Sequence, residues 1–433
     1  MKLRTGNISS LQFFQLLRFS CLLLIGIIFT KTGLGKDEIG QYEMVMFVAG
    51  AISFFWLNGF IQGLLPLFRK TDEKSAQLFN VFVLLSAFTI FAGGFLILFG
   101  KSFSQTLLRN PEIPFLNYLL AYLFFSVPAS LVEYIYLLKD KSGSIAWYGI
   151  SSFSLMLALV SVPAVLGFPV SYSLGGLVIS SAIRYVWLLV MLWKYSDWKL
   201  SFSFLAEHLK LSAPLVISAF LSGSAQYIDG FIVSSHFDEQ AFAVFRYGAR
   251  EFPLVVLLAN AFSLSMIPRF SEKGKQDDTL QEIKSYSTKL MHGLFPLSIV
   301  MLALTHWLFP VIFNAGFRES ATIFNIYLLL ITSRLIFPQT ILIGLKKTNA
   351  IALASLLEII LNVSLSLWFV VLWGLPGIAY GTIAAYLFEK LFLVFYLVKK
   401  TGISPGNYLN ISLHLVYSLL LLTVFYCVEF VIY

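Results

Sequence analysis

The chain is poor in charge. Asp, Glu, Lys and Arg make up 12% of its 433 residues, while 58% are apolar. A typical soluble domain carries about twice that charged share. A water-soluble fold could not cover this much apolar surface with so few charged groups. Cysteine is scarce too. Cys21 and Cys427 each sit inside an apolar run, which excludes a disulfide framework and makes small buried hydrophobes of both. Enzyme motifs are missing: there is no GxxxxGK(S/T), no HExxH and no CxxC. The five histidines do not pair at metal-ligand spacing. His208, His236 and His306 fall near expected helix ends, where a solvated imidazole is the plain expectation. Neither a metal nor a cofactor is expected.

What the chain has is apolar length. Thirteen segments approach the roughly twenty residues a helix needs to cross a bilayer core. They are 11–30, 39–67, 78–100, 115–138, 145–166, 174–193, 211–235, 241–268, 290–310, 321–345, 350–373, 376–398 and 409–431. The first carries Arg18 and is followed by no small-residue cleavage site, so it is expected to span rather than to be removed. Pro128, Pro253 and Pro338 interrupt their segments, which membrane helices tolerate when neighbours satisfy the freed backbone groups.

Orientation follows from the basic residues. With the N-terminus in the cytoplasm, inside segments hold 19 Lys and Arg and outside segments hold 5. That bias places the N-terminus in the cytoplasm. The same bias accounts for the net charge of +8 without nucleic acid as a partner. No outside loop exceeds about fourteen residues, too few for a catalytic domain.

An internal repeat is visible. Pro66-Leu67-Phe68, followed by Arg69 and Lys70, returns as Pro268-Arg269-Phe270 at an offset of 202 residues. The segment from Leu174 returns from Ala379 at an offset of 205, pairing Gly176 with Gly381 and Lys194 with Lys399. Each half holds six spans, so both halves share one orientation. The expected fold is therefore an all-α polytopic membrane bundle. It comprises a six-helix lobe over 1–200, a second over 201–400, and an extra apolar segment over 401–433. The two lobes would be related by a pseudo-twofold along the membrane normal, with a cavity between them. The stretch from Lys194 to Lys210 reads as an amphipathic linker at the membrane surface. The thirteenth segment can either span or lie at the interface.

Eleven ionisable residues fall inside apolar segments: Arg18, Glu133, Arg184, Asp229, Arg246, Arg250, Glu251, Arg334, Glu358, Glu389 and Lys390. Such groups are costly against lipid, so they should face the bundle interior and mark a pathway. Arg184, Arg250, Arg334, Glu358 and Glu389 lie about ten or more residues from the nearest loop, roughly 15–18 Å deep. Arg18 is nearer a span end and can snorkel. Asp229 and Arg246 share a depth, leaving open an ion pair or a ligand role. Arg334 and Glu358 are candidates to pair, and Lys390 adjoins Glu389. Arg250 falls one helical turn after Arg246, on the same face, three residues before Pro253. Several buried arginines suit an anion, phosphate above all, because guanidinium stays charged and grips oxygens in pairs.

At this point the residues resemble a known family. LKLSAPLVISAFLSGSAQYIDGFIVSSHFDEQAFAVFRYGAREFPLV, from Leu209, resembles the seventh and eighth helices of oligosaccharide flippases. The matching pattern is Lys210, Pro214, Ile228-Asp229, Asp238-Glu239 and Phe245. The turns near Pro66 and Pro268 and the stretch GLPGIAYGTIAAY, from Gly374, are similar as well. Two positions depart: Ala243 replaces the usual glycine, and Gly230 replaces the usual basic residue after Asp229. The resemblance covers roughly residues 8–400. The family is the Wzx-type branch of the multidrug/oligosaccharidyl-lipid/polysaccharide exporter superfamily. It implies a MATE-like twelve-helix core and alternating access. The implied substrate is an oligosaccharide on a polyprenyl diphosphate, flipped toward the periplasm for surface polysaccharide such as O-antigen. Its partners would be that lipid, the bilayer and other polysaccharide-assembly proteins. On this reading Arg250, Arg246, Arg184, Arg334 and Arg18 bind substrate, and Asp229, Glu133, Glu251, Glu358 and Glu389 couple ions or form ion pairs. Two other readings stand beside it: an ion-coupled multidrug exporter of the same fold, and a non-transporting subunit of a glycan-assembly complex.

Overall fold

The computed structural model describes residues 5–68, 74–108, 111–267 and 276–432. Lys2, Arg4, Arg69, Lys70, Arg109, Pro268, Arg269, Lys273 and Lys275, on which part of the charge and repeat arguments fell, lie outside the described residues.

All regular structure among the described residues is helical. The helices are α1 (Thr5–Lys31), α2 (Lys36–Leu67), α3 (Ala76–Phe103), α4 (Leu116–Ala129), α5 (Leu131–Leu138), α6 (Ser142–Val165), α7 (Val170–Tyr195), α8 (Phe202–Gly223) and α9 (Ala225–His236). Then follow α10 (Glu239–Gly248), α11 (Pro253–Met266), α12 (Gln276–Ile312), α13 (Arg318–Leu328), α14 (Ile331–Arg334), α15 (Pro338–Gly344), α16 (Thr348–Trp373), α17 (Leu375–Thr401) and α18 (Ile411–Tyr426). Among the described residues eleven helical stretches are long and apolar enough to cross a bilayer, or twelve when the pair bent by 43° between Arg334 and Pro338 is taken as one. The count falls short of thirteen because segment 241–268 is two helices. Proline lacks the N–H a helix interior requires and disfavours helix at the residue before it. The helix accordingly stops at Gly248 and restarts with Pro253 as its first residue. The surface is that of a lipid-facing bundle: Phe91, Leu98, Trp193 and Val371 are each at least 70% exposed.

Packing divides the chain into two compact units. The first comprises 1–227 with 234–243, and the second 228–233 with 244–433. The lobe boundary expected at residue 200 rests on the repeat, whereas packing groups α8 with α2. Helix α8 begins at Phe202, capped by the Ser201 hydroxyl, which accepts from the Phe204 N–H. The expected surface linker is thus shortened to the non-helical 196–201. His208, expected to be solvated, is buried in this helix with Nε2 2.9 Å from the Phe60 carbonyl. In the first unit α1 lies against α6, where Phe14 packs on Tyr148 and Phe153. Glu38 holds two helix starts at once. One carboxylate oxygen accepts from the Gly35 N–H and the other from the Val170 N–H, both at 3.1 Å. Those amides have no partner inside their own helices, and a carboxylate complements the positive end of each helix dipole.

The glycines paired by the repeat do the same work in each unit. A Cβ on Gly176 would stand 1.9 Å from the Leu159 carbonyl oxygen, so only glycine lets α7 cross α6 there. A Cβ on Gly381 would stand 2.4 Å from Ser366 Oγ, where α17 crosses α16. Small residues at such crossings are how membrane helices approach closely.

In the second unit α18 packs on α12 and continues as a π-helical turn, Cys427–Ile432. The stretch Ile411–Ile432 is long and apolar enough to span. Glu429 fastens it: its Oε1 accepts from Asn325 at 2.6 Å and lies 2.8 Å from Nε2 of His306. His306 is therefore buried, contrary to the expectation of a wet imidazole. Of the two thiols Cys21 is buried as expected, while Cys427 is exposed.

Candidate functional site

Each unit holds a polar cluster inside its apolar frame. The first gathers where α1, α4, α5 and α7 meet, around a cavity of about 110 Å³. Helix α4 ends at Ala129 just after Pro128, and α5 resumes at Leu131. The break brings Tyr122, Ser126, Ser130 and Glu133 to the cavity wall, opposite Arg18 and Arg184. Glu133 is 3% exposed, and its Oε2 has no hydrogen-bond partner. Its charged neighbours are Arg184 and Arg18. Arg184 donates Nε–H to the Tyr148 hydroxyl at 3.0 Å and lies over the Tyr148 and Phe153 rings. Three of the residues expected at a site, Arg18, Glu133 and Arg184, are thus brought together.

The second cluster lies in the second unit and is built on α9, α13, α16 and α17. Glu358, Asn362 and Ser366 recur every fourth residue on the buried face of α16. Asp229, from α9, is 4% exposed. Its Oδ2 accepts from the Tyr327 hydroxyl and, at 2.7 Å, from Thr382. Sequence reasoning proposed Arg246 beside it; the partners found are hydroxyls. Ser366 donates to Asn362 Oδ1 at 3.0 Å and reaches the Ile378 carbonyl at 3.2 Å, which Thr382 also reaches at 3.2 Å. Oδ1 of Asp229 and Oε1 of Glu358 are buried without a hydrogen-bond partner. The result is a buried cluster of carboxylate, hydroxyl, amide and carbonyl oxygens. Oxygen donors of this kind suit a proton or a hard cation. Among the described residues no group of three or more His, Cys, Asp or Glu is placed to hold a metal ion.

The remaining candidates form pairs. Arg334 binds Glu251 through two bonds, of 2.8 and 2.5 Å, and not the expected Glu358. The reason is the chain break before Pro253: it frees Glu251 from helical geometry and turns it to α14. Glu389 pairs with Lys390 at 3.2 Å, and Gln339 bridges the two at 2.8 Å to each. Arg250 also lies in the break between α10 and α11, so it does not share a continuous helix face with Arg246. It donates Nε–H to the Arg246 carbonyl at 3.2 Å and lies 5.4 Å from the Tyr247 ring centre. Tyr327, Asn362, Ser366 and Thr382 escaped the sequence reading, which searched for charge. The four-residue spacing from Glu358 was the available signal for two of them.

The fold is one that transporters share. It superposes on a lipid II flippase, MurJ, in an inward closed conformation, with a TM-score of 0.68 and 16% identity over 95% of this chain and 98% of that one. It also matches an inward-facing multidrug resistance MATE family transporter of the MOP superfamily, at 0.61 and 14% over 88% and 96%. A Vibrio cholerae MATE transporter, VcmN, matches at 0.54 and 11% over 92% and 99%. By class, then, this is a multi-pass membrane protein of the transporter and flippase fold. Residues 34–322 match the family described as polysaccharide biosynthesis protein, and the chain belongs to that family. Among curated proteins no relative is matched.

Proposed function

We propose that the chain flips a polyprenyl-diphosphate-linked oligosaccharide from the cytoplasmic to the periplasmic leaflet of a bacterial inner membrane, N-terminus inside, for surface polysaccharide assembly. The observation that carries this reading is a polysaccharide-biosynthesis chain whose transporter fold holds arginines inside an apolar bundle. No bond is made or broken. A diphosphate entering the bilayer bare would be prohibitively costly, so cations must replace its hydration. Arg18, which lines the cavity of the first unit, is the group assigned to it, and in the second unit Arg250 with Arg246 at the helix break are separate candidates for an anionic group. Arg334 already has a carboxylate in bidentate contact, which moves it from substrate binding to holding α14. Transport would proceed by alternating access, with the lipid tail staying in the bilayer. The cluster of oxygens around Asp229 is the assigned place for a coupling proton or cation, with Glu358 in the same cluster.

The test is flipping of a labelled lipid-linked oligosaccharide by purified protein in proteoliposomes. Arg250→Ala is expected to abolish it with insertion intact, and Arg250→Lys to restore part, since Lys keeps the charge but loses the fork. An absence of flipping by wild type, together with accumulation of cationic dyes, would replace the reading with that of a drug exporter.

A further inference from the structure

The cavity of the first unit has a composition that a phosphate site alone does not explain. Its wall carries a carboxylate, Glu133, 97% buried by its 3% exposure and with Oε2 lacking any hydrogen-bond partner. A buried carboxylate facing a phosphate is a like-charge contact and opposes binding. The same carboxylate is a strong acceptor for hydroxyl groups. Arg184 offers the complementary groups. Its Nε–H is taken by Tyr148, which fixes the guanidinium plane and leaves the two terminal amino groups to donate. Tyr122, Ser126 and Ser53 add hydroxyls to the wall. A donor fork, a lone acceptor and several hydroxyls around one small cavity match a ligand that is itself rich in hydroxyls. At about 110 Å³, and roughly 30 Å³ for each water, the cavity has room for about four waters, space for part of a pyranose ring with its hydroxyls.

We propose that this cavity is the subsite for the first sugar of the lipid-linked substrate, with Glu133 accepting from the sugar's hydroxyls and Arg184 donating to its oxygens. The proposal rests on the reading of the chain as a carrier of a glycosylated polyprenyl diphosphate. The first sugar is bonded directly to the diphosphate, so the two subsites must adjoin. Arg18, assigned to the diphosphate, lines the same cavity as Glu133. Arginine and carboxylate in one cavity would thus read the junction between phosphate and sugar. A bare polyprenyl diphosphate would leave Glu133 without a partner, so the site discriminates against lipid that has not been glycosylated.

The test uses the full chain purified in detergent and five lipids: undecaprenyl diphosphate, and the same lipid bearing one glucose, galactose, N-acetylglucosamine or N-acetylgalactosamine. Wild type is expected to bind at least one glycosylated lipid tenfold or more tighter than the bare one. Glu133→Gln should erase that preference, with the bare lipid bound as tightly as by wild type or more tightly, because a like charge is removed from beside the diphosphate. Tyr122→Phe, which removes one hydroxyl without changing volume, should reduce the preference severalfold. It decides the matter if Glu133→Gln does not purify as a single species. Equal wild-type affinity for all five lipids overturns the subsite, and so does a Glu133→Gln variant that weakens bare and glycosylated lipid alike. Failure of all five to bind is a separate outcome, which overturns the functional reading itself.

Discussion

The pair between Arg334 and Glu251 gives the sharpest energetic prediction. Its two bonds measure 2.8 and 2.5 Å, and the side chains are about three-quarters buried, at 23% and 26% exposure. A hydrogen bond to a charged group contributes about 1.5–3 kcal/mol. The remaining exposure argues for the lower half of that range, so the two bonds together hold roughly 3–4 kcal/mol. Glu251→Gln keeps one acceptor oxygen and loses the charge, so a loss of about 2 kcal/mol is expected. Arg334→Gln strands the carboxylate and should cost at least as much. The double variant leaves two neutral amides facing each other. It should be less damaging than the sum of the singles by about 1.5–2 kcal/mol, the coupling energy of the pair. The assay is SDS-titrated unfolding in mixed micelles, followed by circular dichroism, for all four proteins. A coupling energy below about 0.5 kcal/mol would show that the contact holds nothing, and the assignment of Arg334 to structure rather than substrate would go with it.

Three further outcomes are expected. Gly176→Ala should cost at least about 1–3 kcal/mol, because its Cβ would meet the Leu159 carbonyl at 1.9 Å and α7 must move off α6; unchanged stability in the same titration would refute the close crossing. Asp229→Asn keeps an acceptor for Tyr327 and Thr382, so protein level should hold while flipping loses its response to an imposed ion gradient; a variant that still responds would remove Asp229 from coupling. A tag beside Asp277 should be protected in intact spheroplasts and one beside Phe317 accessible, and the reverse pattern would reject the orientation drawn from Lys and Arg.

Much of the architecture was legible before any coordinates, because a bilayer admits few solutions. Long apolar runs in a chain with 12% charge must be spanning helices. Arg18, Glu133 and Arg184 could be picked out as candidates because charge in lipid is expensive and therefore stands out. Their grouping could not be read from the chain, since 166 residues separate Arg18 from Arg184. The histidine expectations failed for a related reason. His208 and His306 are satisfied by a carbonyl of Phe60 and a carboxylate of Glu429, partners 148 and 123 residues away. Distance along the chain carried no hint of either.

By itself, the sequence determined the class of the molecule. Hydropathy set the helices, the family pattern over Leu209–Val255 pointed to the flippase branch, and Gly176 with Gly381 marked the internal repeat. These are local properties, fixed by the cost of placing each residue type in lipid or at a tight contact. The pairing of charges was decided by tertiary structure alone. Breaks at Pro253 and Pro338 turn Glu251 toward Arg334, and the hydroxyls of Tyr327 and Thr382 replace Arg246 as partners of Asp229. Such choices depend on a few ångströms and on which faces of separate helices meet. Depth along a single helix cannot supply that information.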